Sequence, residues 1–391
     1  MRMNADTVAL LTLILAGGSL APRRALARSR PTLASAINAG PVAWRQAGCS
    51  AAQQKRLAAP DHALLETGLD WLQRPDHHLL ALDDPRFPPL LHDIPEPPLA
   101  LFIHGDPSRL WLPAVAVVGS RSPTPSGRAL AAEFSRAFAQ AGMAVVSGLA
   151  AGIDAAAHQA VLEVAGVTVA VIGNGPDSVY PPHHRRLQAS VAALGAVASE
   201  YPPGTPARPA YFPARNRLVA GLSLVTVVIE AANRSGALIT ARLAAEAGRE
   251  VCALPGSVRN PRAAGCHRLI RDGAALVETP DEVLALVAPA LAHSLPALQK
   301  HLHAPTEQGR RAHLPASLAS EPDYQNLWKA LDHDPTPMDS LITRCGLTAA
   351  RLSSMLLAME LAGIVVCEHG RYCRNPGFPT STASLTQAEG Q

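Results

Sequence analysis

From residue 114 the chain alternates short, continuously apolar runs with longer alanine-rich stretches of helical period. The runs AVAVVG (114–119), MAVVS (143–147), VTVAVIG (167–173), GAVAS (195–199), LVTVVIEA (224–231), EVCALPG (250–256) and AALV (274–277) predict strands. Helices are predicted between them at 126–141, 153–165, 182–193, 214–221, 235–248 and 264–271. A strand that is apolar at every position is buried on both faces, and regular alternation with helices predicts a parallel sheet covered on each side. The expected class is α/β, with a Rossmann-like doubly wound sheet at its centre.

The flanks read differently. Residues 1 to about 75 carry short helical patterns at 8–16, 21–28 and 51–58, broken by Gly and Pro. The run 79–106 is a proline-punctuated, partly extended connection, and 290–320, with little periodicity, is expected to be a linker. Residues 324–374 read as three helices and a β-ribbon, with Leu352, Met355, Leu356 and Met359 on one apolar helical face. That order is a winged helix-turn-helix. The Ser/Thr/Gln/Gly-rich tail, 375–391, is expected to be disordered. VALLTLILAGGSLA (8–21) has the apolarity of a signal-peptide core, but a single arginine beside Asp6 precedes it and no disulfide framework follows. It is read as a buried helix, and no run reaches the roughly 18 apolar residues of a membrane span.

Composition changes this picture in two places. The net charge is only +3, so no global basic field advertises nucleic acid. Yet 31 of the 34 basic residues are arginines, and residues 205–272 hold ten arginines against four carboxylates. A GC-rich genome accounts for a general arginine bias; a local excess on loops also fits a polyanion. The six cysteines are far apart, with no CxxC and no zinc-ligand spacing, which points to reduced thiols and a cytoplasmic setting.

In an open parallel sheet, ligands bind beyond the carboxyl ends of the strands. The loops expected there are rich in Gly, Ser, Asn and Arg, and Arg121, Arg215, Arg217 and Arg234 all fall on that edge. Neither G-x-G-x-x-G after the first strand nor G-x-x-x-x-G-K-[ST] occurs, so the dinucleotide and P-loop fingerprints are absent. Asp154, Asp177, Glu200 and Glu230 stand at strand ends. In VVSGLAAGIDAAAHQAVLEVAG (145–166), Asp154 and His158 share a helix face, as an acid–base pair would. The preferred reading is a backbone cradle for phosphate, with Gly148 lacking a Cβ so that a phosphate can approach, Asp154 capping the helix and His158 facing the sheet. Glu230 ends an apolar strand and is expected to pair with Arg234 or Arg217.

Six of these segments, in order, resemble the DNA-processing protein A family (DprA, also called Smf): VAVVGSRSPTPSG, VVSGLAAGIDAAAHQAVLEVAGVTVAVIGNGPDSVYPPHHRRL, ASEYPPGTP, FPARNRLVAGLS, VVIEAANRSGALITARLAAEAGREVCALPG and LIRDGAALV. The resemblance runs from about 77 to 285. It implies a sterile-alpha-motif-like helical domain (1–76), an extended Rossmann-like domain (77–289), a linker (290–320) and a winged helix (321–374). It further implies a cytoplasmic homodimer that binds single-stranded DNA during natural transformation, protects it and loads the RecA recombinase on it. No cofactor, metal or catalytic turnover is implied. The family's DNA pocket maps onto Gly119, Ser120 and Arg121; Ser147, Gly148 and Gly152; Arg215, Asn216 and Arg217; and Ser235 and Gly236. The rival reading is a nucleotide-processing enzyme, phosphoribohydrolase-like, on a related scaffold with Glu230 as its catalytic carboxylate.

Overall fold

The computed structural model describes residues 5–303, 322–331, 336–361, 365–368 and 371–374. They fall into two units that divide after His303. The first opens with six helices: α1 (Ala5–Leu15), α2 (Leu20–Ala27), α3 (Leu33–Asn38), α4 (Gly40–Gln46), α5 (Ala51–Ala58) and α6 (His62–Leu72). Thr32 and Ser50 start α3 and α5 with reciprocal capping boxes. Gly17 and Gly18, both at positive φ, turn the chain from α1 into α2. The carbonyls of that turn would be orphaned at a buried helix end. Arg23 donates to Ile14 O, Gly18 O and Ser19 O, and Gln53 Nε2 donates to Gly17 O and Ser19 O. The apolar 8–21 run is thus a buried helix followed by a tight turn, with Leu10, Leu11, Leu13 and Ile14 in the core.

The sheet domain follows as β1 (His77–Ala81), β2 (Ala100–Gly105), β3 (Ala114–Val118), α7 (Pro125–Gln140), β4 (Ala144–Ser147), α8 (Ile153–Glu163), β5 (Thr168–Ile172), α9 (Arg185–Leu194) and β6 (Ala196–Ser199). It continues with α10 (Tyr211–Gly221), β7 (Val225–Val228), α11 (Gly236–Glu246), β8 (Glu250–Ala253), α12 (Ala264–Arg271), β9 (Ala275–Leu276) and α13 (Pro280–His303). The strand order is β1-β2-β6-β5-β4-β3-β7-β8-β9. Strands β3 to β9 are parallel, as expected. Two expectations are corrected. The proline-rich 79–106 run is not a connection only: β1 and β2 add an antiparallel pair to the sheet beside β6. Residues 290–303 are not linker but the continuation of α13, despite Pro289 and Pro296.

Alternation along each strand sorts the core. Val115 and Val117 face Phe134 and Phe138 of α7 and Ala157 of α8 on one side. Ala116 and Val118 face Leu218 and Leu222 of α10 and Ala241 of α11 on the other. The same alternation on β2 joins the N-terminal helices to the sheet. Leu101 and Ile103 belong to the main core, whereas Ala100 and Phe102 pack with Leu13, Leu26, Trp44 and Trp71.

The second unit contains α14 (Pro322–Ala330), β10 (Thr336–Pro337), α15 (Met338–Cys345), α16 (Ala349–Leu361), β11 (Val365–Glu368) and β12 (Arg371–Arg374). Its small sheet has the order β10-β12-β11, and Leu352, Met355, Leu356 and Met359 face its core with Leu327 and Leu341. This is a winged helix. The expected disordered tail, 375–391, and residues 304–320 of the expected linker lie outside the described residues.

Phe102 is fully buried and meets Trp71 edge-on at 6.0 Å between ring centroids. Phe102→Ala should cost about 3–5 kcal/mol. A urea melt followed by near-UV circular dichroism should show the loss; an unchanged midpoint would mean that the N-terminal helices do not depend on β2.

Candidate nucleic-acid interface

The doubly wound topology reverses at β3: the chain proceeds to β4 on one side and reaches β7 on the other. Loops leaving β3 and β7 therefore diverge, and a crevice of about 610 Å3 opens between them. Its walls come from Gly119–Ser122 after β3, Gly148 and Ala150 after β4, Tyr180 after β5, Phe212 to Asn216 on α10, and Arg234 to Gly236 before α11. Of the residues expected at a DNA pocket, Gly119, Ser120, Arg121, Gly148, Arg215, Asn216, Ser235 and Gly236 line this crevice. Ser147, Gly152 and Arg217 do not line it.

Arg215 lies at the bottom and is 4% exposed. Its Nη1 donates to the carbonyls of Gly148 and Val171, joining the loop after β4 to the end of β5. A Cβ on Gly148 would stand 2.5 Å from that nitrogen. The expected reason for Gly148, close approach of a phosphate, is thus corrected: the space is filled by the guanidinium. Burial pulls the Arg215 pKa down to about 10, with Asp154 acting in the opposite direction. The side chain stays charged at neutral pH, and its Nε has no partner among the described residues.

Asp154 is not the helix cap expected. It sits in the first turn of α8 behind Gly152, and its Oδ2 accepts from the N–H groups of Gly148 at 3.2 Å and Ala150 at 3.3 Å. The Gly148 amide, assigned from sequence to a phosphate, is therefore occupied by this carboxylate. Burial pushes its pKa up, opposed by Arg215 and those two amides. Gly152, at φ +89°, serves the neighbouring turn instead: a Cβ there would collide with Ser120 O. Ile153 N donates to the same carbonyl, so α8 fixes the turn that presents Arg121. Ser147 is fully buried and donates to Val117 O at 2.7 Å.

Arg217 is engaged elsewhere. It forms an ion pair with Glu200 at 2.7 Å and donates to Glu96 O and Ala214 O. Glu230 does not pair with Arg234 or Arg217. Its carboxylate accepts from Thr124 N at 2.8 Å, Thr124 Oγ1 at 3.0 Å and Asn260 Nδ2 at 3.1 Å. It serves as the built-in anion at the N-terminus of α7, 106 residues away in sequence, and Gly127 leaves room for it. With both oxygens occupied, it is poorly placed as a general base or nucleophile.

What remains open is basic and aromatic. Arg121 is exposed and lies over the Phe212 ring at 5.6 Å, and Phe212 packs on Tyr180. Next to them Arg208 covers Tyr211, which stacks on Tyr201 at 4.1 Å. Arg185 and Arg186 are exposed five and six residues after Tyr180. Gly236 opens α11, and a Cβ there would meet nothing within 4 Å. The sequence reading missed Tyr180, Tyr201, Tyr211, Phe212, Arg185 and Arg208. The signal was present as rings interleaved with arginines in YPPHHRR and RPAYFPARNR.

The family model described as "DNA recombination-mediator protein A" matches residues 78–288, and one described as "DprA winged helix domain" matches 311–371. The chain belongs to the DNA recombination-mediator protein A family. Protein Smf of Escherichia coli is 39% identical over 335 residues, covering 85% of this chain and 87% of that one. DNA processing protein DprA of Streptococcus pneumoniae is 45% identical over 204 residues, 52% of this chain and 72% of that one. The X-ray structure of the pneumococcal DprA superposes with a TM-score of 0.63 at 34% identity, over 73% of this chain and 98% of that one. DNA processing protein A from Helicobacter pylori, a structure described for its "unique single-stranded DNA binding mode", gives 0.50 at 27% identity, over 55% of this chain and 97% of that one.

His158 gives a pH test of this architecture. It is fully buried against β5; Thr168 Oγ1 donates to Val145 O and so accepts from His158 Nδ1, which fixes a neutral tautomer. Burial lowers its pKa to about 3, and burial is also the leading cause of lower values at His77, His78, His104 and His184. The unfolded chain binds a proton near pH 6.5 that folded His158 refuses until about pH 3, so stability rises with pH across that window. Thermal melts should show Tm falling from pH 7 to pH 5. His158→Asn, which keeps a donor for Thr168, should remove one histidine's share, up to about 1.4 kcal/mol per pH unit. Identical pH slopes for the two proteins would contradict this.

Proposed function

We propose that this chain binds single-stranded DNA in the crevice without sequence specificity, protects it and hands it to the RecA recombinase during natural transformation, with no catalytic turnover. The observation that carries the reading is the division of groups at the sheet edge. The carboxylates at the strand ends beside the crevice are committed: Asp154 to loop amides, Glu200 to Arg217, and Glu230 to Thr124 and Asn260. The exposed groups are Arg121 and Arg234, with the aromatic surfaces of Tyr180 and Phe212. Arginines that attract phosphate beside rings that stack bases are the equipment of a sequence-tolerant single-strand binder. The single-stranded DNA binding mode described for the Helicobacter pylori protein supports the DNA role, and the family's description supports the recombination role. RecA hand-over and a cytoplasmic setting rest on the family resemblance.

Self-association is part of this proposal. A groove of about 700 Å3 beside α11 and β8 is lined by Leu238, Ile239, Val251 and Leu269 together with charged side chains such as Arg242, Glu250, Arg268 and Asp272, and Leu276 on the last strand of the sheet is 50% exposed. Apolar surface interleaved with charges of both signs suits a self-complementary contact with a second copy of the chain.

The DNA reading predicts a steep fall of affinity with salt. Arg121→Ala should weaken binding of oligothymidylate and mixed-sequence strands alike, by about 1–2 kcal/mol, while melting at the wild-type temperature. Arg217→Ala should do the opposite, losing stability more than affinity, because it leaves Glu200 unpaired. Fluorescence anisotropy and thermal melts on the same preparations read both effects. A wild-type protein that binds no single strand at low salt would end this proposal. Release of base from nucleoside monophosphates, abolished by Glu230→Gln, would favour the enzyme reading instead.

A further inference from the structure

The positive charge of the chain is not spread evenly. Residues 1–60 carry eight Lys/Arg and one carboxylate, Asp6, whereas the other 331 carry 26 Lys/Arg and 30 Asp/Glu. The N-terminal segment is thus a basic stretch of its own, alongside residues 205–272, in a chain whose remainder is acidic. The acidic side chains of the N-terminal helices are gathered on α6 and its cap, at Asp61, Glu66 and Asp70. Asp6 is taken up as well: its Oδ1 accepts from Ala34 N at 2.9 Å.

Some of the basic groups have structural work. Arg23 is buried in the α1–α2 turn, and Arg56 Nη1 donates to Ala16 O. Arg24 donates to Pro97 O with one nitrogen. Arg28, Arg30, Arg45 and Lys55 remain exposed, with no hydrogen bond or ion pair from their side chains among the described residues. Helix dipoles explain why Arg45 and Lys55 lie in last turns. They do not explain why four exposed cations on three helices and their ends form no ion pair among the described residues.

Strand register sets α2 on the same sheet edge as the crevice. β2 is antiparallel to β6, with Phe102 opposite Ser199, and β1 is antiparallel to β2, with Ala81 opposite Ala100. The start of β2 and the end of β1 therefore stand level with the carboxyl ends of the parallel strands. Arg24 and Arg28 line a cleft of about 230 Å3 there, with Leu82 and Leu99. Asp83 is the one carboxylate in that lining. Along the edge, from β3 through β4, β5, β6 and β2 to β1, lie five strand intervals. At ~4.8 Å each, the cleft is about 24 Å from the crevice. The intervening loops carry Tyr180 and Tyr201. Glu200, at the end of β6, also acts electrostatically on Arg23, which places the α1–α2 turn near that stretch of the edge.

We propose that the cations of α2, α4 and α5 are a second contact for the same single strand, in which Arg24, Arg28 and Arg30 hold phosphates about 24 Å beyond the crevice and Arg45 and Lys55 add to the attraction. The inference rests on the crevice being the primary DNA site. The contact is Coulombic and reads no bases, so its signature is length dependence and salt dependence.

The test compares two oligothymidylates, one of about four nucleotides, too short even when extended to bridge the two contacts, and one of about 25, which reaches both. Binding is measured by anisotropy over a range of salt for the wild type, Arg28→Glu/Arg30→Glu, Arg45→Glu/Lys55→Glu and Arg121→Ala. Each N-terminal pair should weaken the long strand at least fivefold and leave the short one unchanged. Each should flatten the plot of log K against log salt by about 1.4, the value for two lost phosphate contacts on a single strand. An unchanged long-strand affinity and slope, with Arg121→Ala weakening both lengths, would overturn this inference alone. Equal loss on both lengths would also overturn it, because the effect would then lie in the crevice or the fold. Failure of the wild type to bind either strand would overturn the crevice reading and this inference together.

Discussion

A single buried cation organises the carboxyl edge of the sheet. Arg215 leaves α10, passes under the loop that follows β4 and donates to the carbonyls of Gly148 and Val171. A buried guanidinium is tolerated only where its hydrogen bonds are met and a negative charge is near. Asp154 supplies that charge, and it is held in place by the same loop's N–H groups. Loop, strand end and two helices therefore form one electrostatic unit. Gly148 has no side chain because a Cβ would collide with the guanidinium, and Asp154 is spent as a counter-charge, unavailable as an acid or base.

That arrangement decides which groups face solvent. Asp154, Glu200 and Glu230 are tied inward, to loop amides, to Arg217 and to the N-terminus of α7, while the exposed Asp177, outside the crevice lining, accepts from Gly204 N. The groups left on the surface are arginines and rings, with the buried charge of Arg215 beneath them. Such an edge attracts a polyanion and offers flat faces to its bases. This is the surface on which the proposed strand-holding role, in keeping with the family's description as a recombination mediator, would rest.

The parallel core was legible because most of its strands are continuous apolar runs bounded by Gly or Pro, the pattern of a sheet covered on both faces. β1 and β2 were not, since prolines crowd the stretch between them and neither strand announces its partner. Weak periodicity misled at 290–303, where α13 continues through Pro296. At the site, sequence identified the edge, and most of the residues it assigned do line the crevice, but it mistook reasons for contacts. Nothing local links Glu230 to Thr124, or Arg215 to Val171, because those pairs are 106 and 44 residues apart. Arg217 looked equivalent to Arg215, two positions away, yet a rotation of about 200° along α10 sends it to Glu200 instead of the crevice.

The central claim is that the strand lies across the aromatic and arginine-rich edge of the sheet. Photo-crosslinking with single strands carrying 5-iododeoxyuridine, followed by peptide mass spectrometry, tests it most directly. The account predicts adducts at Tyr180 and Phe212, with Tyr201 or Tyr211 joining them on longer strands. Adducts confined to the winged-helix unit, with none on those four rings, would contradict it.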